Sequence, residues 1–324
     1  MKYIVRQYKP SDAPAWNTFI ADACNATFLF NRGFMDYHAD RFADFSLIVE
    51  RDGAWAAVLP AHRSGSTVAS HFGLTYGGLV YKAEMKLVEL VVILREILFF
   101  LAREDVDTLR IKTMPPIYHK RPAEELHYAL FLANATLERR DALSVIDREA
   151  GFKISRKRKQ SIRRGNRNHL EVREEANFES FWNTILIPNL ARKHQASPVH
   201  SLEEIQLLHR RFPDHIRHFN VYEGDRIVAG TTVFIAGAVA HPQYVSGKED
   251  KNALGSLDFL YHHLINKVFV NHRFFDFGIS HEQQGRKINE GLIFWKESFG
   301  AGTIVQDFYS VPTANFNLLE DFLL

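Results

Sequence analysis

Two alternating rhythms of apolar and polar positions run along the chain. From Phe45, FSLIVERDGAWAAVLPAHRSGSTVASHF sets β-branched and aromatic runs on either side of a turn at Asp52-Gly53, the pattern of paired strands. The glycine-rich GLTYGGLVY follows, then an apolar helix over residues 85–102 and a strand-like TLRIKTM at 108–114. From His218 the order recurs. HFNVYEGDRIVAGTTVFIAGAVAHPQYVSG gives strands around a turn at Gly224-Asp225, a helix covers 257–270, and RFFDFGI at 273–279 reads as a strand. The repeated order predicts a duplicated α/β unit.

Helix ends sharpen the placement. Ser11 precedes a stripe of Trp16, Phe19, Ile20 and Ala23, and Ser201 with Glu204 forms a capping box that Pro213 closes off downstream. Ser256 is placed to cap a helix whose apolar face is Leu257, Leu260, Tyr261, Leu264, Ile265 and Val268. Between the halves, KISRKRKQSIRRGNRNHLEVR carries nine lysines and arginines. It reads as the connection, giving an N-terminal domain at 1–150, a basic segment at 151–175 and a C-terminal domain at 176–324.

Composition narrows the class. At 324 residues, 46% hydrophobic and 24% charged, the chain is globular and long enough for two cores. Cys24 is the only cysteine, which excludes an intramolecular disulfide and cysteine-rich metal sites and suits a reducing cytoplasm. The most apolar run, Leu87 to Ala102, contains Glu89, Arg95 and Glu96 and is expected to be a core helix, with no integral membrane segment.

Several chemistries can be set aside. The triplet Asp276-Phe277-Gly278 matches the magnesium word of protein kinases, but no phosphate-covering glycine loop or H-R-D loop precedes it. There is no G-x-S-x-G elbow and no H-E-x-x-H, and the adjacent His262 and His263 point in different directions on a helix, so no metal is expected. Two stretches hold attention. The loop with Ser246, Gly247, Asn252 and Gly255 leads into a helix start at Ser256, where unpaired N–H groups and a positive dipole end suit a pyrophosphate. Arg286 and Lys287 precede a helix with Ile288, Leu292, Trp295 and Phe299 on one face, ended by Gly300, with Asn289, Glu290, Lys296 and Glu297 on the others. The basic segment is expected to be a solvated helix, with RNA or an anionic glycan as the functional alternative.

The words QYVSG, LGSLDFLYHHLI, FFDFGIS, GRKINEGLIFWKESFGA and the closing DFY together resemble the FemAB-like branch of the GNAT acyltransferases. The resemblance is strongest over 178–309. It implies an α/β (α+β) fold of two tandem GNAT-like domains, each a mixed, mostly antiparallel sheet flanked by helices. It implies an acyl donor, acetyl-CoA or another acyl-CoA or an aminoacyl-tRNA, held by the second domain, and an amine acceptor such as a cell-wall or surface-polysaccharide precursor. One departure stands out. The usual pyrophosphate loop reads Q/R-x-x-G-x-G/A, whereas this chain offers KNALGS.

Attack of an amine on the acyl carbonyl needs a base, an oxyanion donor and an acid. Asp276, His281 and Glu282 are the candidate bases, Lys296 a phosphate or oxyanion contact, and Tyr244 and Tyr309 the candidate acids. Ser246, Gly247, Asn252, Gly255, Ser256 and Asn289 are the candidate donor-binding residues. A non-catalytic GNAT pair that holds RNA or an anionic glycan is the competing reading.

Overall fold

The computed structural model describes residues 2–324, with the backbone alone at Lys193 and His194. The chain divides into two compact units, Met1–Asp141 with Val305–Leu324, and Ala142–Ile304.

The first unit opens with β1 (Ile4–Gln7), α1 (Ala13–Asp22) and α2 (Arg32–Met35). Trp16, Phe19 and Ile20 face inward as their spacing predicts, but Ser11 lies inside a short 3-10 turn, and the carboxylate of Asp12 accepts the Lys9 N–H at 2.8 Å. Strands β2 (Leu47–Arg51) and β3 (Ala54–Leu59) form the hairpin read at Asp52-Gly53, followed by β4 (His62–Ser64), β5 (Thr67–Ala69) and β6 (Val80–Tyr81). Helix α3 (Leu87–Arg103), β7 (Thr108–Lys112) and α4 (Glu125–Leu132) complete the core with Leu94, Leu98 and Ile111. β1, β2, β3 and β6 make one antiparallel sheet; β5 runs parallel to β7 over Thr67↔Thr108 to Ala69↔Arg110.

Strand β8 (Thr136–Asp147) carries the chain into the second unit. There follow α5 (Arg156–Arg167), β9 (Leu170–Glu174), α6 (Glu179–Phe181), a wide π turn at Trp182–Leu186, α7 (Ile187–His194) and α8 (Leu202–Arg211). Pro188 has no N–H to donate to the preceding turn, which accounts for the loosened helix there. Strands β10 (Ile216–Glu223), β11 (Arg226–Ala236) and β12 (Val239–Gly247) are antiparallel neighbours; α9 (Lys251–Leu254) and α10 (Ser256–His263) lead to β13 (Phe274–Ile279). A small hairpin of β14 (His281–Glu282) and β15 (Lys287–Ile288), α11 (Glu290–Glu297) and β16 (Gly302–Pro312) close the order.

Both faces of this sheet are covered. Phe219 and Val221 join Leu260 of α10 and Leu264 of the π turn that follows it on one, while His218 packs at a tilt against Phe178 and Phe181 on the other.

The division differs from the expected one at 150–175. The chain leaves the first unit within β8, and α5 belongs to the second unit because Ser161, Ile162 and Gly165 are buried, a packed face that the charge run conceals. The last twenty residues return to the first unit, where Val311 and Leu319 are buried in the core.

Candidate active site

β12 and β13 lie side by side and parallel only at Val239↔Phe274 and Ala240↔Phe275. Beyond that point β12 stays with β11 as far as Gly247, and β13 pairs with β8 through a register shift between Asp276 and Ile279. The two strands therefore part. Among the described residues, no strand pairs with the edge of β12 from His241 onward that β13 has left. Pro242 lies in this stretch, and the pairing jumps from Thr232↔Tyr244 to Val233↔Pro242, leaving Gln243 as an extra, bulged residue. The Gln243 Oε1 is buried with no hydrogen-bond partner.

A polar knot sits where the strands part. Asp276 is fully buried; its Oδ1 accepts the Gly278 N–H at 2.7 Å and its Oδ2 lies 3.2 Å from His241 Nδ1. Lys296 reaches inward from α11, and its ammonium donates to the carbonyls of Gly278 at 2.9 Å and Ile279 at 2.6 Å. Burial draws the Lys296 pKa down to about 8 against the opposing pull of Asp276. Gly278 takes φ +71°, and a Cβ there would stand 3.2 Å from the His241 ring. Asp276 and Lys296 thus shape the turn at the end of β13. Lys296, expected on a face away from the Trp295 stripe, instead turns inward and is buried, because its ammonium is drawn to the Gly278 and Ile279 carbonyls.

The remaining candidates scatter. His281 Nε2 accepts the Ala142 N–H at 2.8 Å and holds β14 to the end of β8. Glu282 is exposed on the hairpin. The Tyr244 hydroxyl is 2.5 Å from His200 Nδ1 and accepts the His200 N–H at 3.1 Å, a buried structural pairing. Tyr309 belongs to the first unit and donates to Asp307 at 3.0 Å; burial, then Asp307, raise its pKa, which weakens it as an acid. Asn289 caps α11 by accepting the Leu292 N–H at 3.0 Å, while Ile288 and Leu292, expected in the buried stripe, are exposed.

The helix start at Ser256 is not open. Ser256 lies inside α10 with its hydroxyl buried and without a hydrogen-bond partner, and Gly255, at φ +71°, takes the capping position. A Cβ on Gly255 would come 2.4 Å from the Ser161 carbonyl of α5. The first turn of α10 already has its anion in Asp258, which is bonded to Arg158 at 2.6 Å and to Trp295 Nε1 at 2.7 Å. Asn252 is exposed on α9. Ser246 Oγ and the Gly247 carbonyl both accept from Asn189 Nδ2, at 2.8 and 3.0 Å. A cleft of about 490 Å³ opens here at the end of β12, lined by Asn189, Arg192, Arg226, Lys248, Glu249 and Asp250.

His241, Gln243 and Asn189 were not singled out by pattern. The legible signal was Pro242 within a strand, which calls for an edge or a bulge.

The first unit has the corresponding parallel pair, β5 and β7, but its own chain closes the gap. Gly77 N–H donates to the Lys112 carbonyl at 2.8 Å, Lys112 Nζ to the Leu74 carbonyl at 2.6 Å, and Gln306 to the Thr75 carbonyl at 3.1 Å. Gly77 is required, since a Cβ would lie 2.2 Å from the Ser70 carbonyl. Only the second unit keeps its parted strands unfilled among the described residues.

Residues 153–285 match the acetyltransferase (GNAT) domain model. FemX superposes with a TM-score of 0.65 at 9% identity, covering 99% of this chain and all of that one. The chain has the fold of FemX, with a GNAT-type domain in its second unit. A C-terminal DUF2156 domain from Agrobacterium fabrum gives TM-score 0.62 at 12% identity, over 94% of this chain and 92% of that one. The L-PGS of Bacillus licheniformis gives 0.59 at 11%, over 96% and 94%. No curated protein matches in sequence. The segment that matches the GNAT domain model lies inside the second unit, and among the described residues no three metal-ligating side chains gather.

Proposed function

We propose that the second unit is an N-acyltransferase, working in the cytoplasm, that passes an acyl group from acyl-CoA to an amine of a cell-wall or surface-polysaccharide precursor. The observation that carries the reading is the parted β12 and β13 inside the segment that matches the GNAT model. An extended donor arm bearing amides can lie along the free edge of β12 as an added strand, with the Gln243 Oε1 accepting one of its N–H groups. The cleft at the end of β12, where Lys248 lies beside the ion-paired Arg192 and Arg226, is the place we assign to the charged part of the donor, instead of the closed terminus of α10.

In the transfer, the amine nitrogen attacks the thioester carbonyl, the C–S bond breaks, and the proton lost by nitrogen is matched by one taken up at sulfur. Asp276 and Lys296 act as positioning residues that hold the β13 turn. Glu282, the exposed carboxylate beyond it, is the candidate base.

The closed α10 terminus favours a second reading, in which the donor is an aminoacyl-tRNA or the pair is a non-catalytic binder. Calorimetric titration with acetyl-CoA separates them. Saturable binding that Gln243→Leu weakens about tenfold, at unchanged melting temperature, is the expected result, equivalent to one lost buried hydrogen bond. Absence of binding removes acyl-CoA as the donor.

A further inference from the structure

Helix α5 is docked by one face and cationic over the rest. Arg158, Ser161, Ile162 and Gly165 turn inward: Arg158 is held by Asp258, and a Cβ on Gly165 would meet Phe259 of α10 at 2.6 Å. At about 100° per residue, Arg156, Gln160, Arg163 and Arg167 form an outward ridge within roughly 60° of arc and about 16 Å long. Lys157 and Arg164 flank it on one side, Lys159 and Asn166 on the other. All six cations, Arg156, Lys157, Lys159, Arg163, Arg164 and Arg167, are exposed, and among the described residues none forms an ion pair. The helix itself carries no acid. So many cations on one face repel one another, and none of the six is held in an ion pair among the described residues.

We propose that this face docks the protein on an anionic phospholipid bilayer. Charge complementarity identifies the partner as a polyanion, and the shape of the face selects among polyanions. A helix half sunk into its own unit presents a broad convex arc, which lies against a plane but cannot enter the deep, narrow major groove of an RNA duplex. Single-stranded RNA needs a row of aromatic platforms, and α5 has no aromatic residue. Phe294, exposed on α11 with its ring 5.7 Å from Lys157 Nζ, is one ring and not a row of platforms. A headgroup surface asks only for charge. Each cation close to it contributes roughly fivefold in affinity, so six suffice for reversible binding without an inserted helix. No helix among the described residues is long and apolar enough to cross a membrane, so attachment would be peripheral.

The test uses the full chain with sedimenting vesicles of phosphatidylcholine alone, or of phosphatidylcholine with roughly one part in three phosphatidylglycerol. Binding to the mixed vesicles at low salt, release at about 500 mM salt, and none to phosphatidylcholine alone are expected. Arg156→Glu with Arg163→Glu and Arg167→Glu should lower binding at least tenfold. Lys2→Glu with Lys86→Glu and Arg103→Glu, of equal net charge, should retain it. Should the first set fail to fold, Arg163→Gln with Arg167→Gln, which adds no acid, reads the same face. Equal losses from both sets, or binding to neither vesicle, overturn the proposal. Tighter binding to bulk tRNA than to vesicles, lost in the same variants, overturns it in favour of RNA.

Discussion

The ammonium of Lys296 sits among carbonyl oxygens, and its stability against pH follows from that placement. Its folded pKa of about 8 lies below that of the unfolded chain, so between about pH 8 and pH 10.5 the unfolded state binds the extra proton. Stability from this group therefore rises with pH across that window and is flat below it. Relative to Lys296→Met, the wild type should gain on the order of 2–3 kcal/mol between pH 7 and pH 10, read from denaturant unfolding at the two pH values. A difference that does not change with pH would mean that the ammonium is solvated. The sequence put Asp276 among the candidate bases and Lys296 as a phosphate or oxyanion contact, but did not show that both hold the same turn. Helical spacing places a lysine on a face without saying how deep that face lies, whereas the depth depends on the turn at Gly278 and Ile279.

Elements were legible where local chemistry decides them. The Ser201–Glu204 capping box is present, with Ser201 Oγ accepting the Glu204 N–H at 3.2 Å and Glu204 accepting the Ser201 N–H at 2.8 Å. The paired strands around Asp52-Gly53 and Gly224-Asp225 formed as read, since turns and alternation are short-range. What stayed hidden is close approach between elements: nothing in RRGNR shows that Gly165 rests on Phe259, or in KNALGS that Gly255 touches Ser161. Two helix glycines make this testable by one substitution. Gly165→Ala pushes a methyl into Phe259 at the α5–α10 contact and should destabilise by roughly 1–3 kcal/mol. Gly291→Ala in α11 meets only Asn289 Oδ1, at 3.8 Å, and should stabilise by about 0.5–1 kcal/mol. A melting temperature that does not fall for Gly165→Ala would contradict the packing described for α5, and one that falls for Gly291→Ala would contradict the open surroundings of that residue.

At the scale of the molecule, the repeated element order announced two units, but it could not show that the chain returns to the first after finishing the second. Local patterns carry no record of which distant strand a segment pairs with. Here the last strand pairs with β7 over Phe308↔Lys112 to Pro312↔Thr108, Val311 and Leu319 are fully buried in the first core, and Thr313 Oγ1 donates to the Val106 carbonyl at 2.6 Å. Phe316 packs edge-on against Phe99 of α3 at 5.1 Å, and Asn315 donates to the Ala133 carbonyl at 2.8 Å. Ending the chain after Ile304 would remove all of these. Burial of Val311 and Leu319 alone is worth roughly 1.5–3 kcal/mol each, and with the strand pairing the loss reaches the 5–15 kcal/mol that holds an ordinary domain folded. The truncated chain should therefore lose the first unit and keep the second, whose buried core cluster runs from Ile146 to Phe299. Limited proteolysis with mass spectrometry reads this directly: new cleavages should concentrate before residue 141, and a protected fragment beginning near residue 142 should persist. Had the chain been built as consecutive domains at 1–150 and 176–324, the same truncation would instead open the second unit and leave the first resistant, so the position of the cuts distinguishes the two arrangements.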